Sequence, residues 1–476
     1  MMKSMIKENG ITFKELEKNI FRNICKIGQE CTKELFEQYD KKLMEERDRS
    51  KYRHKGSRKT TIKTIYGEVE YKRNVYEMID EDGFKRYVYL LDEALNLEHV
   101  GLISENMTDL MVKAVTEMSY RQSAEKVTEM TGQSISAMGV WNVIQELGEK
   151  ICHEEKELVK EYKAGQVQGE METQILFEEA DGVYVSLQGK DRKEKGKKKA
   201  EIKVAIAYDG WEKKTKDRYA LHNKIAVAGF SESKDFQEYR EAAIAEKFNL
   251  DEVATRVLNG DGGSWIKQVE DKETIFQLDP FHKNKAVREL IHEPRAQKDI
   301  LKILSGNDID DVFEYLDIYR NSLENDKDIE DVEALIKYYA NNRAGLLPYR
   351  EQLKKIPTAP EGLEYLNLGT MENHIWSIIA RRMKNNHTSW SKKGGNYLAK
   401  ILAKKCSGKL YEVTEKRQRH VFKEEEVMPL CKNIMSAAKV TEKVGKGYEY
   451  PVKGKLPSMD MSTRGDRKKL LSMAGY

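Results

Sequence analysis

The chain has 476 residues, and its 83 Lys and Arg against 80 Asp and Glu leave a net charge of only +3, so global charge does not point to a polyanionic partner and any nucleic-acid contact must come from local clusters. Five cysteines with no CxxC pair argue against a disulfide framework and a structural zinc site. A polar N-terminus (MMKSMIKENG) and no run near the roughly 18 apolar residues of a span argue against a signal peptide and a membrane helix, which fits a reducing cytoplasm. The length allows about three structural units at roughly 100–200 residues each. Hydrophobic residues make up 39% and charged residues 34%, on the polar side of globular averages, so much of the surface is solvated helix or faces a charged partner.

Residues 1–58 read as a charged helical segment. From Thr60 the period changes to two, and TTIKTIYGEVEYKRNVYEMI, the turn Asp80-Glu81-Asp82-Gly83 and FKRYVYLL predict a small antiparallel unit over 59–96. Its approach, KYRHKGSRK, holds Arg53, Lys55, Arg58 and Lys59, which form either a solvated linker or a DNA-backbone contact. Helical period returns over 97–168. There SYRQSAEKVTEMTGQSISAMGVWNVIQEL suggests a helix-turn-helix, with Ala124 and Val127 on the first helix and a turn at Thr131-Gly132. Ser134 would cap a second helix carrying Ile135, Met138, Trp141 and Val143. The same pattern suits any packed helix pair.

Residues 169–283 are strand-rich. Strands are predicted at 174–187, at 201–208 and within 219–229, with Asp209-Gly210 as a hairpin-like turn. A helix follows over 235–247, then strands TRVLNG and TIFQLD, ending at Asp261 and Asp279. The loop GKDRKEKGKKK is densely basic. Residues 284–365 read as an all-helical insertion without strands. Over 366–406 comes the helix LGTMENHIWSIIARRMKNN, which presents Ile375, Trp376 and Ile379 on one face, with Arg381, Arg382 and Lys384 near it as a phosphate-binding group or a solvated face. The charged tail, 407–476, reads as partly irregular.

Three acids stand out: Asp181 in ILFEEADGVYVSL, Asp261 in VLNGDGGSW and Glu372 in LGTMENHIW. With them goes Asp279-Pro280-Phe281-His282. Phosphoryl transfer without a covalent intermediate needs an activated hydroxyl and a stabilised leaving oxygen, which two Mg²⁺ ions roughly 3.5–4 Å apart supply. Such ions take hard oxygen ligands, so Asp and Glu suit them and Cys does not. Each acid also has a plainer reading. Asp181 fits a strand edge, although its neighbours Phe177, Val183 and Val185 are apolar and a buried carboxylate needs a partner. Asp261 fits an Asp-Gly turn, as Asp209 does. Glu372 fits the first turn of a helix capped by Thr370. Trp265 fits a core position, and His282 a residue that orders the rim.

Taken together, the pattern resembles the DDE transposases of the Mutator-like superfamily, and most closely the ISLre-type insertion-sequence transposases of bacteria. Asp181-Gly182-Val183-Tyr184-Val185 matches that superfamily's first acidic strand. Gly260-Asp261 with Trp265 matches the second, Asp279 and His282 its Asp-x-x-His, and Glu372 the acid that opens a helix after a helical insertion. The likeness covers roughly 170–405; the zinc-finger cysteines of the eukaryotic members are missing. It implies an α/β catalytic core of RNase H-like fold with an all-helical insertion, behind an N-terminal α and small antiparallel β DNA-binding region. It also implies Asp181, Asp261 and Glu372 as catalytic ligands of two Mg²⁺ or Mn²⁺ ions, with Asp279, His282 and Trp265 in support. Its partners would be terminal inverted repeats and target DNA, met by at least a homodimer in the bacterial cytoplasm, on the nucleoid. A nuclease on the same core without strand transfer is the first rival, a DNA-binding protein with structural acids the second, and a glycosidase with paired carboxylates a distant third.

Overall fold

The structure is a computed structural model that describes residues 11–80, 83–97, 102–194, 198–267, 274–384, 387–415 and 420–441. The N-terminal ten residues, the middle of the Asp80–Gly83 turn, part of the basic loop and the tail beyond 441 lie outside them. The chain divides into a smaller unit, residues 1–31 with 422–476, and a larger one, residues 32–421. The described part of the smaller unit is the beginning of α1 (Phe13–Glu46) and all of α18 (Glu424–Thr441).

The larger unit begins with the rest of α1 and a three-stranded antiparallel sheet: β1 (Arg53–Thr64), β2 (Gly67–Ile79) and β3 (Lys85–Val88). Alternation buries Ile62, Val69 and Tyr71, and Phe36, Tyr39 and Leu43 of α1 close over them. The short α2 (Leu90–Leu95) adds Leu91. The helical segment expected up to residue 58 therefore stops at Glu46. The basic run is itself strand, six residues ahead of the expected boundary, with a bulge at Gly56 (φ 103°) where the register shifts between His54 and Ser57. Its outer half has no apolar alternation to reveal it.

Three helices follow: α3 (Glu105–Glu117), α4 (Tyr120–Thr131) and α5 (Ala137–Lys163). Ser119 and Gln122 form a capping box at the start of α4, and Gly132 (φ 69°) ends it. Ser136, not Ser134, caps α5, accepting from the Gly139 N–H at 3.0 Å. Val140, Val143, Ile144 and Leu147 turn inward, while Met138 and Trp141 face out.

The main sheet has five strands in the order β10-β9-β4-β5-β8. Its members are β4 (Ile175–Ser186), β5 (Lys199–Tyr208), β8 (Ile225–Gly229), β9 (Thr255–Gly260) and β10 (Thr274–Leu278). The central β4 is antiparallel to β5 and parallel to β9. β10 runs parallel to β9, and β8 antiparallel to β5. Odd residues of β4 (Ile175, Phe177, Val183, Val185) meet the helical core of α3–α5 and the C-terminal helices. Even residues (Leu176, Ala180) meet α7 (Ser233–Lys247) and the short α8 (Ser264–Lys267). Between β4 and β5 lies α6 (Gly189–Glu194).

Asp209-Gly210 is not a hairpin turn. It is the corner at which the chain leaves β5 for a second small sheet, β6 (Trp211–Thr215) with β7 (Arg218–Leu221), whose own turn is Lys216-Asp217. The buried Asp209 carboxylate accepts from His222 Nδ1 and Asn223 Nδ2, both at 2.8 Å.

The inserted region starts at residue 280, four before the expected 284. It comprises α9 (Pro280–Leu290), α10 (Pro294–Ser305), α11 (Ile309–Asn321), α12 (Asp326–Asn341) and α13 (Tyr349–Gln352). The first four build a core of their own around Val287, Ile300, Val312, Leu316, Leu335 and Tyr339, seated on Leu278 at the sheet edge, while Tyr349 of α13 joins the main core. One strand appears where none was expected: β11 (Leu363–Glu364) pairs with β6. The chain then returns to the sheet through α14 (Met371–His374), a π-helical segment Ile375–Ala380 and α15 (Arg381–Met383). α16 (Lys392–Cys406) and α17 (Glu412–Glu415) follow. The π turn adds a residue to the repeat, so Ile375, Ile378 and Ile379 are buried while Trp376, expected on that face, stands 55% exposed.

Candidate active site

The register of the parallel strands sets the site. Ala180 lies opposite Gly260, and Gly260 opposite Leu278. The next residue on each strand is an aspartate: Asp181, Asp261 and Asp279. Neighbouring strands are about 4.8 Å apart, so three carboxylates form one row at one rim of the sheet. Gly260 makes the close approach possible, because a Cβ there would meet Ile266 at 2.8 Å and the Ala180 carbonyl oxygen at 3.0 Å.

The three carboxylates are not equivalent. Asp279 caps α9, accepting from the Phe281 and His282 N–H groups, and also binds Asn259 Nδ2 at 2.8 Å and His282 Nδ1 at 3.2 Å. Burial alone would raise its pKa, but His282 and Asn259 hold it below the usual carboxylate range. Asp261 is half-buried; Oδ1 accepts from the Gly263 N–H and its carbonyl from the Tyr338 hydroxyl, both at 2.8 Å. Asp181 is 8% exposed, and among the described residues its Oδ1 accepts only from the N–H of Gly182. Its nearest cation is His282, with Nε2 4.0 Å from Oδ2. Burial therefore pushes its pKa up to about 6, against His282, with Asp261 and Asp279 adding repulsion. The hydrogen bond to Asp279 raises the His282 pKa, and Asp181 raises it further. With His282 charged the row still carries an excess of two negative charges.

The turn just before Glu372 is held against β4 by Glu179, a residue not singled out from the sequence. Glu179 is fully buried on β4, on the same face as Asp181 two positions on. Its Oε2 accepts from the backbone N–H groups of Gly369 (3.1 Å) and Thr370 (2.9 Å) and from Asn259 Nδ2 (3.0 Å). Its Oε1 accepts from the hydroxyls of Thr370 (2.5 Å) and Tyr208 (2.8 Å). Burial pushes this carboxyl up, and the donors from Thr370, Tyr208 and Gly369 oppose it. Burial prevails, so the Glu179 carboxyl lies above the usual carboxylate range; the three N–H donors mark Oε2 as an acceptor in either protonation state. Thr370 consequently does not cap its own helix; its side chain is spent on Glu179. Gly369 (φ 123°) packs beside Pro280, where a Cβ would come within 3.7 Å of Cδ. Glu179 thus joins the strand of Asp181, the end of the strand before Asp261 and the turn before Glu372. The only sequence signal was its charge inside an apolar strand.

Glu372 itself is exposed in the first turn of α14. The oxygens of Asp181, Asp261 and Glu372 do not all come within 4.8 Å of one another. Among the described residues that spacing occurs at His292, Asp328 and Asp331, an ion-paired surface group on the inserted helices. The donor set on the rim suits hard divalent cations: carboxylate oxygens in excess of positive charge, with Asp181 Oδ2, Asp261 Oδ2 and Glu372 bearing no hydrogen bond from described residues. Asp279 is spent on its cap.

The supporting residues fall differently. Trp265 packs in the core, edge-on to Phe236 at 5.5 Å, on the face of the sheet away from the helix of Glu372. Arg382, read as a phosphate contact, is 7% exposed; it donates through Nε to the Val115 carbonyl and lies between the rings of Tyr120 and Trp390. Arg381 pairs with Glu117 at 2.6 Å, whereas Lys384 is exposed and unpaired among the described residues. On β1, Lys55 pairs with Glu77 and Lys59 with Glu70, leaving Arg53 and Arg58 exposed.

The fold and the rim define an α/β protein with an acidic row on a five-stranded mixed sheet and a helical insertion ahead of its last acid. The chain belongs to the family described as "Uncharacterised protein family (UPF0236)", whose profile matches residues 6–420. A UPF0236 protein of Caldanaerobacter subterraneus subsp. tengcongensis is 27% identical over 424 residues, 87% of this chain and 82% of that protein. Its name joins eleven serial designations; a second from that organism, also 27% identical over 87% of this chain and 82% of its own length, joins four. The "UPF0236 protein in vanSb 3'region" of Streptococcus gallolyticus is 24% identical over 84% of each chain. No helix among the described residues is long and apolar enough to cross a membrane.

Proposed function

We propose that this protein is a DDE transposase with an RNase H-like core, which cuts the ends of an insertion sequence and joins its 3′ ends to target DNA. The observation that carries the reading is the acidic row Asp181-Asp261-Asp279; Glu179, on the strand of Asp181, binds the turn two residues before Glu372 and supports placing that acid with them. A strand order with β4 at the centre, β5 and β8 on one side and β9 and β10 on the other supports it. So does a relative's name, which joins eleven designations in a single organism, as would be expected of a self-copying element.

In this reading Asp181, Asp261 and Glu372 would hold two Mg²⁺ or Mn²⁺ ions, and Asp279 and His282 would keep Asp181 aligned. When bound, such ions make water or a 3′-hydroxyl nucleophilic and stabilise the departing oxygen. Hydrolysis frees a 3′-hydroxyl at the element end. That hydroxyl attacks a target phosphodiester, one P–O bond forms as another breaks, and the displaced target 3′-oxygen takes the proton. Two ends handled together call for at least a homodimer.

The test is an assay on labelled duplexes that carry the element's inverted repeats, with Mg²⁺ or Mn²⁺. Cleaved ends and joined products are expected from the wild type, with a loss of at least about a hundredfold in Asp181→Asn, Asp261→Asn and Glu372→Gln. Near-wild-type joining by any of the three variants overturns the assignment. Cleavage without joining would instead indicate a nuclease on this core.

A further inference from the structure

The β4–β5 pair continues past the acidic row. Asp181 is opposite Val204, and pairing runs on to Ser186 opposite Lys199, beyond the ends of β9 and β10. At ~3.3 Å per residue this arm projects about 16 Å past the carboxylates. Its end is fixed: Leu187 bridges to Trp390, Gln188 donates to the Trp390 carbonyl at 2.9 Å, and Asp191 accepts from the Lys392 N–H at 2.8 Å.

This end carries Lys190, Arg192, Lys193, Lys198 and Lys199, with Lys393 beside them at the start of α16, all exposed. None of them makes an ion pair among the described residues. Exposed cations elsewhere are in part matched, as in Lys59–Glu70, Lys163–Glu238 and Lys404–Glu412, and in part unpaired, as on α10; what sets this end apart is six of them at one projecting arm. A cluster of unmatched cations repels itself, and Lys392 and Lys393 also oppose the positive end of the α16 dipole. Apart from Lys393, which lies over the Tyr397 ring, these charges have no described partner in the chain, and a polyanion would relieve their mutual repulsion.

We propose that the β4–β5 arm is a phosphate-binding platform that grips the backbone of duplex DNA about five base pairs from the reacting phosphodiester, at 3.4 Å of rise per pair. The proposal rests on the transposase reading for its substrate and identifies the contact surface of that site. It also moves that surface away from Arg381 and Arg382, which are already engaged.

The experiment compares the full-length variants K190E/R192E/K193E and R295E/K298E/K302E, the second making the same charge change on exposed positions of α10. Affinity for a random 30-base-pair duplex is followed by fluorescence anisotropy over a salt series without divalent metal. The arm variant is expected to lose at least about thirtyfold near 100 mM salt, with a salt slope flatter by between two and three; the α10 variant is expected to change less than threefold. K190Q/R192Q/K193Q, milder in its effect on folding, is expected to fall between them. Equal losses in both charge-reversed proteins, no loss in the arm variants, or tighter binding of duplex RNA than of DNA overturns the inference. Cleavage by the wild type reports separately on the function. Arm-dependent binding without cleavage would leave the platform standing and the transposase reading fallen; cleavage with arm-independent binding would do the reverse.

Discussion

Glu178 and Asp181 lie three residues apart on one strand, both buried, and their surroundings are opposite. Glu178 faces α7, where Arg256 donates to it through Nε at 2.7 Å and Arg240 lies 3.5 Å away, with Glu241 completing a neutral group of two arginines and two glutamates. Asp181 faces the rim among two further aspartates, with one histidine at 4.0 Å. The first carboxylate is matched by the fold. The second is left with an excess of negative charge, which is what the proposed cation-binding role requires and what a structural ion pair lacks.

Breaking the matched side has the largest expected effect. Arg256→Ala strands Glu178 and Glu241 in the interior and is expected to cost about 3–5 kcal/mol, measured by urea unfolding; a cost below about 1 kcal/mol would make the cluster dispensable. Glu179→Gln comes next. An amide cannot accept from all five donors, so a loss of about 2–3 kcal/mol is expected, with faster hydrogen exchange at Gly369 and Thr370. Tyr208→Phe removes one donor and should cost about 1 kcal/mol without that exchange. Equal exchange in the two variants would show that Glu179 does not hold the turn before Glu372.

Asp181→Asn sharpens the comparison with the opposite sign. A carboxyl whose pKa is raised in the folded state binds its proton more tightly there, so stability falls as pH rises from about 4 towards 6 and stays low above. Removing the charge without metal should therefore stabilise the protein at pH 7.5, by roughly 1–2 kcal/mol once the loss of His282's partner is allowed for. The gain should vanish near pH 4. Thermal melts of both proteins across that range check it, and destabilisation at pH 7.5 would mean that Asp181 is matched like Glu178. The smallest effect is Asp209→Asn, about 1 kcal/mol destabilising, because the amide keeps one of the two bonds to His222 and Asn223; an unchanged melting temperature would return Asp209 to a simple turn.

The five main strands could be read from their apolar runs; Asp261 and Asp279 stood out because each closes such a run, and Asp181 because it is a charge in the middle of one. What escaped was set by distant partners or by backbone geometry. Arg382 reads as a surface cation until Tyr120, Trp390 and the Val115 carbonyl enclose it. Trp376 follows Ile375 on the expected face only if the helix keeps its 3.6-residue repeat, and the π turn removes that condition. β6, β7 and β11 are short and largely polar, with no alternation to mark them. Glu179 meets Thr370 across 191 residues of sequence, and no local pattern encodes such a bond.

That separation also orders events during synthesis. The shell around Glu179 closes only after Thr370 has left the ribosome, by which time the main sheet and the inserted helices can already have formed. Contacts of such long sequence separation form late. A chain stopped between residues 280 and 368 would carry all three aspartates but lack the Gly369-Thr370 turn that Glu179 binds, so the shell of Glu179 stays open until that turn is made.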